Sequence, residues 1–278
     1  MALHSFLASP PPREGGAPIA NGEYLFEMIV ADLHWSSLQI ATLCMMAAAC
    51  AAPGTPFSLR TCRHIAYDDA RVMRLALRYS EGVGLSAAAR QKLDRLYGDL
   101  AVMQKQILPF VDPPKLPPLQ RDQLQRLLPS FRKIAVAAAD AIDALGVASR
   151  QRLPASYAYD GVTIQQFLGR AARGDLDEID RFGVLSTPPL RQRRHSPRVA
   201  TNIPCRLALA QGEVEAAIVD FSRQGLGVVC QATLRENQEV AVLVGERRLE
   251  GAVARVQGRQ IGLKLRKPLT FTDPLFQA

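Results

Sequence analysis

The chain has 278 residues, which is too long for one small module and suits two domains of ordinary size. A hydrophobic content of 48% with 22% charged residues excludes wholesale disorder, and many alanines beside only 6% aromatic residues favour helices. From Arg191 to the C-terminus, lysine and arginine outnumber acidic residues by 14 to 8, so most of the net charge of +8 lies in the last third of the chain. This concentration of basic charge indicates an anionic partner or a solvated basic face.

Residues 1–22 are rich in proline and glycine, and we expect them to form a flexible tail. They lack the basic segment and the long apolar run that mark a secretory signal. The five cysteines include no C-x-x-C pair and lie in apolar or alanine-rich surroundings, as buried reduced thiols do. The sequence therefore predicts a cytoplasmic protein.

Residues 23–185 are predicted to form an all-α domain, whose first helix covers Tyr24–Ala52 and ends at Pro53-Gly54. Within this helix, the apolar run Leu38–Ala52 is shorter than the roughly 18–20 residues that a membrane span needs. We therefore expect a buried helix and no membrane span. A second helix is predicted from Asp68 to about Ser80.

Prolines and glycines divide the next part of this domain. A third helix follows Ser86 and is predicted to stop at Pro109, before a proline-rich run over 112–118 that is expected to be extended. The next apolar stripe predicts a helix that Pro129 kinks or restarts and that ends at Gly146.

The last predicted helix covers Thr163–Arg173. Thr163 or Asp160 is expected to cap its N-terminus, and Gly174 is expected to terminate it. The apolar stripes of the whole domain predict a helical core, and the domain is a candidate scaffold for docking or oligomerisation.

The pattern changes at Thr187-Pro-Pro189, within a predicted linker over 186–199. Beyond it, short segments rich in valine and leucine alternate with polar or glycine-containing turns, which favours a small barrel over 200–278. The predicted strands are Ile203–Ala210, Val214–Phe221, Leu226–Gln231, Glu239–Val244, Arg248–Val256 and Gln260–Leu265. The predicted fold class is therefore α+β with two domains: an all-α helical domain followed by a six-stranded antiparallel β-barrel.

Two motifs lie around the first two predicted strands. The first is RQRRHSPR, which ends at Arg198 and contains an R-x-x-x-R pair; the second is DFSRQG, which begins at Asp220 and fits D/N-x-S-x-x-G. Together with the six strand-like segments, they make residues 190–270 resemble the PilZ domain family. The resemblance implies a barrel that binds the bacterial second messenger cyclic di-GMP. The implied ligand-binding residues are Arg194, Arg198, Asp220, Ser222 and Gly225, with Arg193 as an additional candidate.

The chemistry of these residues fits that ligand, which offers two phosphates and two guanine edges. The planar fork of Arg194 or Arg198 can pair with two phosphate oxygens, or with guanine O6 and N7. Asp220 only accepts hydrogen bonds, which suits the N1–H and N2–H donors of guanine. Ser222 can bond a base or turn the loop, and Gly225 is expected where a Cβ would clash.

Other interpretations of these residues stay open at this stage. An arginine cluster before a domain is commonly a solvated linker, and D-x-S-x-x-G is an ordinary turn sequence. A basic barrel also suits a nucleic-acid backbone, although the exposed aromatic platform typical of such proteins is missing. His195 is interpreted as a variable position of the arginine motif. The other histidines lack partners at metal-ligand spacing, so neither a metal site nor a cofactor is expected.

The sequence contains no nucleophile elbow, P-loop or metal cluster, so we expect no catalysis. The resemblance implies an effector that regulates motility, exopolysaccharide synthesis, biofilm formation or virulence. Because Arg194 and Arg198 lie in the predicted linker, ligand binding is expected to order this connection and to reposition the helical domain. A protein partner on the helical domain and a homo-oligomer are expected; nucleic acid is not an expected partner.

Overall fold

The computed structural model describes residues 21–52, 54–55, 77, 83–111, 118–179, 185–191, 196–270 and 273–276. The chain divides into two compact units, one of Leu25–His195 and one of Ser196–Ala278 with the residues up to Tyr24. Residues 1–20 of the predicted tail, the run over 112–117 and all of the second predicted helix except Leu77 lie outside the described residues. The prediction of a tail is wrong for Asn21 and Gly22, which begin the first helix. Apart from these two residues, the predicted boundaries of the tail (1–22), the helical domain (23–185), the linker (186–199) and the barrel domain (200–278) stay predictions.

The helical region has five described helices. They are α1 (Asn21–Ala51), α2 (Ala87–Val111), α3 (Pro118–Arg126), α4 (Leu128–Arg152) and α5 (Ala155–Arg173). Pro129 lies in the first turn of α4, where a backbone N–H has no acceptor within the helix, so the lack of an N–H in proline costs no hydrogen bond. The predicted restart of the helix at Pro129 is confirmed. The all-α character predicted for this region is confirmed as well.

Helix α1 is buried on almost every side along its length. By length and composition, Gly22–Ala51 meets the requirement for a membrane span, and among the described residues it is the one helix that does. However, 83% of its apolar window is buried inside the protein. A helix that is apolar around its whole circumference suits the core of a larger protein, and this burial is typical of such a core helix.

Close packing joins α1 to α5. The thiol of Cys44 donates to the carbonyl of Ala171 at 3.2 Å, and burial raises the pKa of this thiol to about 11. Earlier in both helices, a Cβ at Gly161 would lie only 3.5 Å from Nε2 of His34. Because the later residue of α1 contacts the later residue of α5, the two helices run parallel.

Two helices continue past the residues predicted to end them. Helix α2 begins after Ser86, whose Oγ accepts a backbone N–H of the first turn at 3.1 Å, and it extends two residues past Pro109. The stop predicted at Pro109 is wrong because proline has a nearly helical φ and costs the last turn few hydrogen bonds. The end predicted at Gly146 is also wrong, since α4 reaches Arg152. An interior glycine costs about 1 kcal/mol relative to alanine and does not stop a helix that packing supports.

The start of α5 also differs from the prediction. The helix begins at Ala155, so Thr163 and Asp160 lie inside it and neither is its cap. Asp160 is instead fully buried, and its carboxylate accepts the backbone N–H of Arg191 at 2.8 Å. The predicted terminator is confirmed, because Gly174 adopts a left-handed φ of 78° that caps the helix.

The C-terminal unit contains a closed antiparallel barrel in the order β1-β2-β3-β6-β5-β4. Its strands are β1 (Val199–Leu209), β2 (Gly212–Ser222), β3 (Gly225–Cys230), β4 (Glu239–Val244), β5 (Arg247–Gln257) and β6 (Gln260–Leu265). The predicted six-stranded barrel is confirmed, with β4 and β6 matching the predicted bounds and the other strands shifted by up to four residues at an end.

Alternating side chains of the strands fill the barrel. Phe221, Leu226, Leu263 and Val253 lie on adjacent strands in one inward-facing row, and all are almost completely buried. After β6, a short 3-10 helix over Pro274–Phe276 brings its last ring to 5.1 Å from the ring of Phe221. This aromatic pair extends the core beyond the end of the strand, directly beside the DFSRQG segment.

Buried His34 makes the stability of the helical region dependent on pH. Burial lowers its pKa to about 4, against the opposing effect of Asp160. Below pH 6.5 the unfolded chain binds a proton that the folded chain does not, so stability falls as the pH decreases from 6.5 toward 4. Between pH 7 and pH 5, the loss attributable to His34 is about 2 kcal/mol. Urea unfolding of wild type and His34→Gln at pH 7 and pH 5 measures it. We expect a smaller loss in His34→Gln; equal losses in both proteins would contradict the assignment.

Candidate functional site

The two motifs meet at one end of the barrel. Arg198, directly before β1, donates from Nη1 to Oδ1 of Asp220 near the end of β2. The ion pair is half-buried, with 24% of the arginine side chain and 32% of the aspartate side chain exposed. A guanidinium has five N–H donors, so this pair leaves donors of Arg198 available at the same place.

A β-bulge sets the direction of Asp220. Ile218 pairs with Val228 of β3, and Asp220 pairs with the adjacent Gly227. Val219 has no partner on β3 and is therefore an extra residue in β2. Ile218 and Phe221 are buried in the barrel core. Because side chains alternate along a strand, the extra residue turns Asp220 toward the outer face while Phe221 still faces inward.

Ser222 shapes the turn that follows β2. Its side chain is buried, and its Oγ donates to the carbonyl of Gly225 at 3.4 Å. Of the two roles open to this residue from the sequence, the structure shows the turn-forming one.

Gly225 and Gly227 are required for different reasons. A Cβ at Gly225 would lie 2.5 Å from the backbone oxygen of Leu263, so β3 and β6 approach each other here too closely for a side chain. The carboxylate of Asp220 covers Gly227, where a Cβ would lie 2.6 Å from Oδ1. Gly227 was not among the residues predicted for the site, although a glycine inside a strand often marks a close approach of another group.

Arg223, a variable position of the second motif, fastens the C-terminal segment to the turn. Its Nε donates to the carbonyl of Leu269 at 3.1 Å, and its own carbonyl accepts the N–H of Leu269 at 2.7 Å. The guanidinium of Arg223 therefore binds the backbone of the C-terminal segment within the barrel unit.

The arginines of the first motif have separate surroundings. Arg191 is held within the helical unit, since its N–H donates to Asp160 and its guanidinium lies 3.6 Å from the ring centre of Tyr159. Arg198 is held by Asp220 within the barrel unit. The predicted ligand contacts Arg194 and Arg193, and also His195, lie outside the described residues.

The described residues contain no group of three His, Cys, Asp or Glu side chains that could hold a metal ion. The side chains brought together here suit recognition of a ligand. A guanidinium fork stands beside a carboxylate acceptor, at the point where a buried serine and two glycines fix the backbone.

Comparison with known families gives an independent assignment of this region. Residues 192–273 match the family described as the PilZ domain. No curated protein matches the chain. PilZ domains are binding and receptor domains rather than catalytic ones, and the family is one of cyclic di-GMP receptors. The C-terminal part of this chain, with its six-stranded barrel, therefore belongs to the PilZ domain family.

Proposed function

We propose that the barrel binds cyclic di-GMP through Arg194, Arg198, Asp220, Ser222 and Gly225, with Arg193 adding positive charge. The observation that carries this proposal is the ion pair between Arg198 and Asp220, which brings the two motifs together at the surface of the barrel. The chain then acts as a cytoplasmic receptor without catalysis of its own.

Each side chain has a chemical task in this proposal. Arg198 and Arg194 pair with phosphate oxygens or with the acceptor edge of guanine. Asp220 accepts the N1–H and N2–H of a guanine base, which adenine cannot supply together. Ser222 and Gly225 hold the turn that carries Asp220. The ion pair with Arg198 holds Asp220 in one orientation until the ligand arrives.

We further propose that ligand binding changes the connection between the two units. Arg191 is fastened to α5 of the helical unit, and Arg198 is fastened to β2 of the barrel unit. A ligand held by Arg194 and Arg198 would restrain the six residues between these two attachments. The helical unit then passes this restraint to a protein partner or to a second copy of the chain, in the control of motility, exopolysaccharide synthesis or biofilm formation.

Arg198→Ala should weaken cyclic di-GMP binding about 10- to 100-fold, because a bidentate contact of this kind contributes about 1–3 kcal/mol. The fold should survive, since Arg198 lies outside the strands and its ion pair with Asp220 is partly exposed to water. Calorimetric titration gives the affinity and the number of bound ligands, and thermal melts check folding. Arg248→Ala is the matched control, since it removes the same charge from an exposed site on β5. Equal weakening by both variants, abolished by salt, would indicate a diffuse basic surface instead.

Asp220→Ala should weaken cyclic di-GMP binding by a similar factor and should also reduce the preference for guanine over adenine. The physical reason is the loss of the acceptor for the two guanine donors. Competition of cyclic di-GMP with cyclic di-AMP on wild type and variant measures the preference. A variant that binds cyclic di-GMP more weakly but keeps the full wild-type preference would exclude base recognition by Asp220.

Cyclic di-GMP should protect the chain from proteolysis between about Leu185 and Val199, because binding restrains the segment between Arg191 and Arg198. Limited trypsin digestion with and without ligand, followed by mass spectrometry of the fragments, tests this. Arg198→Ala, which binds poorly, should lose the protection at the same ligand concentration. Cleavage at an unchanged rate in ligand-saturated wild type would refute the proposed restraint.

A further inference from the structure

One outward-facing row crosses four adjacent strands of the barrel. Asp220 on β2 pairs with Gly227 on β3, Gly227 pairs with Gly262 on β6, and Gly262 pairs with Arg255 on β5. The row thus has an acceptor at one end, a fork of donors at the other, and two residues without side chains between them.

A second β-bulge gives Arg255 its direction. Val253 pairs with Leu263 and Arg255 with Gly262, so Ala254 is an extra residue in β5. Val253 and Leu263 are buried in the core, whereas Arg255 is exposed. Without the extra residue, strand alternation would direct Arg255 into the barrel. The bulge at Val219 has the same effect on Asp220, so two independent irregularities bring the two side chains onto one outer row.

The side chains at the two ends both extend over the glycines. The carboxylate of Asp220 lies 2.6–2.8 Å from the position that a Cβ of Gly227 would occupy. The Nε of Arg255 lies 3.7 Å from the corresponding position at Gly262. Three strand spacings of ~4.8 Å separate the Cα atoms of Asp220 and Arg255 by at most about 14 Å, because the row curves around the closed barrel. Because both side chains extend over the glycines between them, the gap between their polar ends is shorter than this separation.

The charge of Arg255 is available for a ligand. Two other arginines of this half of the barrel are paired with carboxylates: Arg247 with Asp273, and Arg266 with Glu239. Within the described part of the chain, no such ion pair involves Arg255.

We propose that Arg255 is a specificity-determining ligand contact that binds O6 and N7 of the guanine whose N1–H and N2–H bind Asp220. This inference rests on the proposed cyclic di-GMP binding and extends it to a residue outside both motifs. Arginine is the side chain best suited to the O6/N7 edge, which it contacts bidentately. Adenine would present an amino donor to the Arg255 donors and no N1–H to Asp220, so the two ends of the row reject the same wrong base. Arg198 and Arg194 are then left to the phosphates.

Calorimetric titration of the full chain with three probes tests the proposal: cyclic di-GMP, cyclic di-AMP and a cyclic di-GMP analogue built from 7-deazaguanine, which lacks N7. Arg255→Ala should bind cyclic di-GMP about 10- to 100-fold more weakly than wild type. Wild type should lose affinity for the 7-deaza analogue, and Arg255→Ala should not distinguish it from cyclic di-GMP. Arg255→Lys keeps the charge without the fork and should restore only part of the affinity. Arg248→Ala, the charge-matched control on the same strand, should bind like wild type.

The outcomes separate this inference from the proposed function. Wild type that binds cyclic di-GMP while Arg255→Ala binds it equally well would overturn the role of Arg255 and leave the proposed function standing. A variant that loses affinity for cyclic di-GMP and the 7-deaza analogue by the same factor would assign Arg255 to a phosphate and overturn the base contact. Wild type that binds no cyclic di-GMP would overturn both proposals.

Discussion

The outward orientation of Asp220 depends on one inserted residue, Val219, which shifts the alternation of β2 between Ile218 and Phe221. Phe221 must face inward because its ring fills the end of the barrel core, and Ile218 is buried as well. In a regular strand with Phe221 facing inward, Asp220 would face outward, Val219 inward and Ile218 outward. Ile218 would then leave the core. The bulge lets a continuous core coexist with an exposed carboxylate, and the ion pair with Arg198 depends on that exposure.

Much of this barrel could be predicted from the sequence, because period-two alternation and turn residues are local signals. The six strands, the motif around Asp220 and the helical character of the first part followed from such signals. Helix ends were less predictable: Pro109 and Gly146 lie inside helices. Beside Gly146, the buried Leu145 and Ser149 supply the packing that offsets the local cost of the glycine. The roles of Gly227 and Arg255 could not be predicted, because they depend on which strands are neighbours and on bulges that exist only relative to a partner strand.

The helical region contributes a fixed end to the segment that carries the arginines. Asp160 is buried at a position where a charged group is costly unless it is hydrogen-bonded, and the N–H of Arg191 supplies such a bond. The sequence suggested a capping role for Asp160, as short polar side chains commonly have near helix starts. Its actual partner is more than thirty residues away along the chain, so only the folded structure connects it with the arginine motif.

The most direct test of this account is a calorimetric titration of the full chain with cyclic di-GMP at moderate salt. We predict saturable binding with one or two ligands per chain, and an affinity that changes little when the salt concentration is raised further. An absence of saturable heat, or binding that disappears with added salt and is reproduced by a DNA duplex, would contradict it and would favour a general polyanion-binding surface.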